Sequence, residues 1–519
     1  MKLYRSFATV GGMTMLSRVL GFVRDILIAA VLGTGVVADT FFVAFRFPNL
    51  FRRLFAEGAF NSAFIPLFAK KIEGEGAVAA RQFANEALSA LVTALLVLTA
   101  IAELTMPWLM YLIAPGFTDS PEKYDLAVLL TRITFPYLLF VSLVALYSGM
   151  MNALHRFAAA AFAPVLLNIV LISVMAGVAW AGYGNTPEAG VALAWGVTVG
   201  GIAQLIALLY SSGKAGMKLR LQRPRMSEGV RRLVTLGIPG VIAGGITQVN
   251  ILIGTIIASM QDSAVSWLYY ADRIYQLPLG LVGIAIGVVL LPELSRKLRA
   301  GDGEGALNSQ NRSLELSLLL TLPASVALMI MPGPIIQVLF ERGAFTFADT
   351  SASAAALAAF AAGLPAFVLV KVFSPGFFAR EDTKTPMRYA GISVAVNIIC
   401  SLSLFWVIGH VGIAIATSLA GWVNAGLLTV TLKKRGHFEF DAQFRRRIVP
   451  VCLSCAVMGA SLWSMTVWLS DWFAPANGLA IQLAALAALV VGGISVYAGA
   501  LHFTGALRLS ELRQVLRAG

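Results

Sequence analysis

The chain has 519 residues, 58% of them hydrophobic and 13% charged, with a mean hydropathy of +0.81, against about 25% charged for an ordinary soluble domain. Too few Lys, Arg, Asp and Glu remain to cover a water-soluble protein of this length, which excludes a soluble fold. The formal charge of +13 would suit a nucleic-acid partner in a soluble protein, but here the apolar runs recur at membrane length, so the placement of the basic residues decides their meaning.

Apolar runs of about 20 residues bounded by Gly, Pro and charge predict fourteen membrane helices. In chain order these span 7–33, 38–67, 85–113, 125–153, 160–182, 189–211, 229–260, 265–295, 313–340, 351–378, 386–408, 411–432, 447–470 and 478–503. The N-terminus resembles the start of a signal peptide, yet Arg18 and Arg24 interrupt its apolar run and no small-residue cleavage site follows. It is therefore expected to be a retained first helix.

Of the 39 basic residues, 29 fall at the N-terminus, in the even-numbered loops and in the C-terminal tail, whereas the odd-numbered loops hold only Lys123 and Arg342. The positive-inside rule then places both termini in the cytoplasm. Topology accounts for the basic surplus, and no nucleic-acid partner is expected.

A weak internal repeat runs at a spacing near 226 residues: Ala63–Leu67 with Lys70-Lys71 resembles Val289–Glu293 with Arg296-Lys297. Met106-Pro107 corresponds to Met331-Pro332, Phe135-Pro136 to Leu364-Pro365, and Asn168-Ile169 to Asn397-Ile398. Six helices separate equivalent points, so the two units are parallel, related by a pseudo-two-fold along the membrane normal, with a central binding cavity between them. The expected organisation is an N-terminal six-helix lobe (1–212), a basic cytoplasmic linker (213–228), a C-terminal six-helix lobe (229–435), and helices 13 and 14 with a cytoplasmic tail (436–519). The fold class is an all-α polytopic membrane protein.

Eight basic residues remain at membrane depth: Arg18, Arg24, Arg46, Arg52, Arg53, Arg132, Arg273 and Lys371. Each costs at least about 2.5 kcal/mol facing lipid, so each needs a partner, a wet cavity or an interface within reach. The acids Asp25, Asp39, Glu57 and Asp272 are too few and too local to neutralise them all. Arg46, Arg132 and Lys371 are read as structural. On helices 1, 2 and 8 the clustered guanidinium groups, with their planar forked donors, predict a site for a phosphorylated or otherwise acidic substrate.

Covalent chemistry finds no support. The four histidines are scattered, no metal-ligand spacing occurs, and no phosphate-binding GxxxxGK[ST] loop is present. Three cysteines exclude a disulfide framework, and Cys452 and Cys455 are expected to be buried thiols within an apolar helix. No catalytic residue, metal or cofactor is expected.

The segments Ser17–Asp25 (SRVLGFVRD) and Pro48–Phe60 (PNLFRRLFAEGAF), with Tyr270–Arg273 (YADR), Gly376–Arg380 (GFFAR) and Asp382–Pro386 (DTKTP), resemble the signatures of the MurJ (MviN) lipid II flippases. The resemblance covers nearly the whole chain. It implies a fourteen-helix member of the multidrug/oligosaccharidyl-lipid/polysaccharide exporter superfamily in the bacterial inner membrane. Its substrate would be lipid II, the undecaprenyl-pyrophosphoryl-disaccharide-pentapeptide, carried from the cytoplasmic to the periplasmic leaflet. By motif, Arg18, Arg24 and Arg273 would hold the pyrophosphate, while Ser17, Asp25, Asp39, Asn49, Arg52, Arg53, Glu57 and Asp272 would form the cavity network and its gates. Helices 13 and 14 would groove the polyprenyl tail.

Some relatives carry a sodium-site carboxylate on helix 7, where this chain reads Asn250–Thr255 (NILIGT) without an acid, so the coupling ion stays open. The expected mechanism is alternating access driven by the membrane potential. Membrane lipids and other cell-wall synthesis proteins are the expected neighbours. The rival readings are a flippase for another polyprenyl-linked glycan, a drug or cation antiporter, which needs an acidic cavity, and a membrane-embedded transferase, which needs a base or metal ligands.

Overall fold

A computed structural model describes residues 2–53, 60–474 and 476–505, with the side chains at 2–8, 62, 241–244, 246–247, 284–285 and 288 outside the description. The described residues are helical almost throughout, without a strand among them. The chain folds as two compact units, Met1–Ser266 with Arg342–Phe345, and Trp267–Glu341 with Thr346–Gly519.

The first unit holds α1 (Lys2–Leu32), α2 (Val36–Phe51), α3 (Asn61–Gly74), α4 (Gly76–Ile113), α5 (Pro121–Thr134), α6 (Tyr137–Ala153), α7 (Phe157–Trp180), α8 (Pro187–Lys214) and α9 (Glu228–Ala258). α1 packs on α7, α7 on α8, and α2 on α5. Within the second predicted span the described residues give α2 and α3, and the described chain leaves α2 through π-helical residues Arg52 and Arg53, just beyond Pro48. A proline removes one backbone donor and crowds the preceding turn, which fits a change of helical pitch at this place. Pro136 similarly separates α5 from α6.

Between α8 and α9 the basic segment is no loose tether. Met217 is buried in an aromatic and aliphatic cluster with Phe64, Phe68 and Phe83, and Leu219 packs against it. Arg220 N–H donates to Asn85 Oδ1 and Gln222 N–H to Ser89 Oγ, both at 2.8 Å, while Ser227 Oγ donates to Glu86 Oε2 at 2.6 Å and caps α9. Polar positions on one side of α4 therefore hold the segment in an extended course.

Gly33 ends α1 with φ +62°, a conformation that favours glycine, and a Cβ there would lie 2.4 Å from Ala344 O. Ala344 N–H in turn donates to Ala30 O at 2.9 Å, which ties Arg342–Phe345 into this unit.

The second unit contains most of α10 (Ala264–Arg299), with α11 (Gly303–Ile330), α12 (Pro332–Phe340), α13 (Phe347–Phe378), α14 (Lys384–Ile408), α15 (His410–Lys434), α16 (Ala442–Trp468) and α17 (Leu479–Phe503). Its densest packing joins α13 and α14 to α15 and α11 to α13. A Cβ on Gly363 would meet Ser418 Oγ at 2.5 Å, so glycine is what lets α13 and α15 approach so closely. α16 packs on α11 and α17 on α16.

The prolines paired by the repeat act differently. Pro332 starts a helix and Pro136 separates two, whereas Pro107 and Pro365 stay inside α4 and α13. Among the described residues, ten helical segments are long and apolar enough to cross a membrane. The thiols need one correction: Cys455 is buried and Cys400 partly so, but Cys452 is exposed, because three residues fall about 60° short of a full helical turn and carry it to the edge of the face that Cys455 buries.

Before α14, Asp382 accepts from Thr385 Oγ1 at 2.6 Å, Arg435 Nη1 at 2.7 Å and Thr385 N–H at 3.0 Å. Bonds from the Thr385 hydroxyl and then from Arg435 hold the carboxyl down at about 2, against an ordinary 3.8. A depressed carboxyl contributes stability above its unfolded value and loses it as the pH falls toward its folded one. The gap in unfolding midpoint between wild type and Asp382→Ala is therefore expected to be constant above pH 3.8 and to close as the pH is lowered toward about 2. A gap that persists at the acid end would refute this.

Candidate functional site

In the first unit, Arg18 on α1 is exposed and has no hydrogen bond or ion pair among the described residues. Arg24 is different. Its Nη2 and Nε donate to Asp25 Oδ1 at 2.7 and 3.1 Å, its Nη1 donates to Asn168 Oδ1 at 3.0 Å, and both charged side chains are almost fully buried. Asn168 Nδ2 then donates to Ser17 O at 2.9 Å. Ser17 and Arg24 are seven residues apart, two helical turns, so they share the face of α1 turned to α7, and Asn168 bridges them.

Asp25, one of the acids too few and too local to neutralise every arginine, thus pairs with Arg24. Its partner in the next position neutralises it and fixes the fork of the guanidinium. Arg24 is preorganised, and Arg18 is the exposed cation of the pair.

On α2, Asn49 Nδ2 donates to Phe45 O at 2.7 Å and its Oδ1 accepts from Arg52 Nε at 3.0 Å, so Asn49 positions Arg52 where α2 changes pitch. Arg53 is exposed beside it. Glu57 lies outside the described residues. Arg46, read as structural, donates from Nη1 to Thr255 Oγ1 on α9 at 2.7 Å, and Arg132 donates to Glu103 O at 3.3 Å.

Asp39 is fully buried near the start of α2. It accepts from Lys123 Nζ at 3.0 Å, Ser263 N–H at 2.9 Å, Ser266 N–H at 3.0 Å and Ser266 Oγ at 2.6 Å. Lys123, itself buried, also donates to Asp262 at 2.9 Å and stands 4.6 Å over the Phe117 ring. Asp39 thus pins α2 to the start of α5 and to the turn between α9 and α10.

In the second unit, Arg273 lies 4.6 Å over the Tyr269 ring, and its Nη2 donates to Tyr269 OH at 2.9 Å. The ring and hydroxyl of a residue one turn back aim the guanidinium. Asp272 is held by Gln276. Trp267 Nε1 donates to Asp349 Oδ1 at 3.0 Å, and its ring stands 4.8 Å from His410.

Sequence reasoning missed Asn168, Lys123, Ser266 and Tyr269. Asn168 alone left a signal, as an amide inside the otherwise apolar α7. No group of three His, Cys, Asp or Glu among the described residues is placed to hold a metal.

Two helical units that carry hydrogen-bonded arginines on membrane helices fit a multi-pass membrane transporter. A family profile described as "Lipid II flippase MurJ" matches residues 28–482. The chain belongs to the MurJ family, and it is a multi-pass bacterial inner-membrane protein. It is 50% identical over 520 residues to a "Probable lipid II flippase MurJ" of Rhizobium meliloti, covering 100% of this chain and 97% of that one. To the "Lipid II flippase MurJ" of Burkholderia cenocepacia it is 35% identical, covering 97% and 98%.

The fold matches a solved lipid II flippase MurJ in an inward closed conformation, with a TM-score of 0.76 at 24% identity over 95% of this chain and 98% of that one. It also matches an inward-facing multidrug resistance MATE transporter, with a TM-score of 0.69 at 13% identity over 82% and 97%.

Proposed function

We propose that the chain carries lipid II from the cytoplasmic to the periplasmic leaflet by alternating access. Its kinship over the full length with proteins named as lipid II flippases carries this reading, and the cations at membrane depth suit a pyrophosphate cargo. Arg18, Arg24 and Arg273 are the head-group residues. Arg24 brings a guanidinium oriented by Asp25 and Asn168, and Arg273 one oriented by Tyr269. Ser17, Asp25, Asp39, Asn49, Arg52, Arg53, Glu57 and Asp272 serve the polar network and its gates.

The chain crosses the membrane fourteen times with both termini in the cytoplasm, α3 continuing α2, α6 continuing α5 and α12 continuing α11. Residues 1–212 and 229–435 are the parallel lobes, joined through 213–228, and α16 and α17 in 436–519 groove the polyprenyl tail. No cofactor takes part. A membrane potential, negative inside, favours outward movement of a doubly charged pyrophosphate by about 4–5 kcal/mol at 100 mV. The same field draws an empty cationic carrier back inward.

The basic character of these helices disfavours a cation antiporter. A different polyprenyl-linked glycan is separated from lipid II by experiment. On depletion of the protein, lipid II accumulates in the cytoplasmic leaflet while other polyprenyl-linked glycans do not. Unchanged distribution of lipid II would refute the proposal.

A further inference from the structure

Lys371 lies on α13, seven residues before its end at Phe378, or about 10 Å along the axis. Buried neighbours Val368, Val372 and Phe373 lock this stretch of α13 into an apolar cluster with Val282 and Ile286 of α10. Lys371 itself is exposed and has no hydrogen bond or ion pair among the described residues. Its stem lies against α10, where the Cβ position of Gly283 is 3.7 Å from Lys371 Cγ.

One turn further along α10, a Cβ on Gly287 would meet nothing within 4 Å. Gly283 is ten residues beyond Arg273 on the same helix, about 15 Å toward its basic end. A lone ammonium at this depth facing hydrocarbon costs about 2.5–3.5 kcal/mol, and nothing in the described structure offsets that cost. An anionic cargo beside α10 would.

We propose that Lys371 is a further substrate-contact residue, receiving the phosphate-bearing head group beside the middle of α10, on the side of Arg273 that leads to the helix's basic end, before Arg273 takes it. The inference rests on the flippase reading above. An ammonium suits a receiving station, since it offers a rotatable point charge instead of a fixed fork and so holds a moving phosphate without fixing its orientation.

The test uses the full chain reconstituted in vesicles containing lipid II, with flipping measured against lipid II content. Lys371→Met is expected to keep wild-type abundance and unfolding midpoint while raising the half-saturating lipid II about tenfold, as for loss of one charge-assisted contact. Lys371→Arg is expected to stay near wild type.

If Lys371 instead snorkels at a lipid-facing surface, Lys371→Met flips with the half-saturation of the wild type, and that result overturns the inference. A misfolded Lys371→Met is replaced in the comparison by Lys371→Gln. Equal loss of abundance and flipping in Met and Gln variants would assign a structural role and also overturn it. Wild type that moves no lipid II in the same vesicles would defeat the flippase reading itself, a result distinct from a normal wild type with a normal Lys371 variant.

Discussion

Arg273→Ala is expected to abolish lipid II flipping while abundance and membrane insertion stay near normal. Arg273 reaches Tyr269 through a hydrogen bond and a cation–π contact, both within one turn of the same helix. Its removal takes from the tyrosine hydroxyl a bond within a single helical turn, a modest loss to the fold. Function loses the forked donor. Arg273→Lys keeps the charge without the fork and should restore flipping only in part. Tyr269→Phe, which keeps the ring and removes the hydroxyl, should weaken flipping less than Arg273→Ala does. Measuring abundance and flipping in the same cells checks all three, and normal flipping by well-expressed Arg273→Ala would end the assignment of Arg273 to the head group.

What the residues disclosed before any coordinates divides along a physical line. Apolar length and charge placement are local or additive, and they made the all-helical membrane fold readable, although the predicted span 125–153 ran through Pro136, where α5 ends and α6 begins. Partners are neither local nor additive. Arg24 finds Asn168 across 144 positions, and Lys123 finds Asp39 across 84. No spacing in the chain announces either contact.

Lys123 shows the cost of this most clearly. Counting loop charges puts it in an outer loop as a stray base, whereas the fold buries it as the counter-ion of a buried carboxylate. Glycines 33 and 363 are similar, since each is ordinary in composition and explained only by the backbone or side chain it meets.

The second large effect is expected at that pair. Lys123→Ala should destabilise the protein by about 3–5 kcal/mol, because it strands Asp39 as a buried charge with only neutral donors left. Asp39→Ala should do the same to Lys123, tempered by the bond that Lys123 keeps to exposed Asp262. The informative variant is the double one. Asp39→Asn with Lys123→Met removes both charges and nearly preserves shape, so its unfolding midpoint should exceed that of Lys123→Ala.

Flipping by the double variant then reports whether the charge is needed in transport, separately from stability. Thermal unfolding in detergent with abundance in cells makes the comparison. A double variant no more stable than Lys123→Ala would show that the ion pair is not what pins α2 to α5 at this point.

The docked segment between α8 and α9 bears on how long the protein survives in the cell. Lys218, Arg220 and Arg225 would make it an obvious place for a trypsin-like protease to nick. A protease must draw several consecutive residues into its cleft in extended, unbound form, and here the backbone N–H groups of Arg220 and Gln222 are engaged with α4 while Met217 is sunk among phenylalanines. Cutting has to wait for the segment to lift away, so the rate of nicking measures how often the first unit opens at this seam, and turnover follows that local opening rather than the number of basic residues on display.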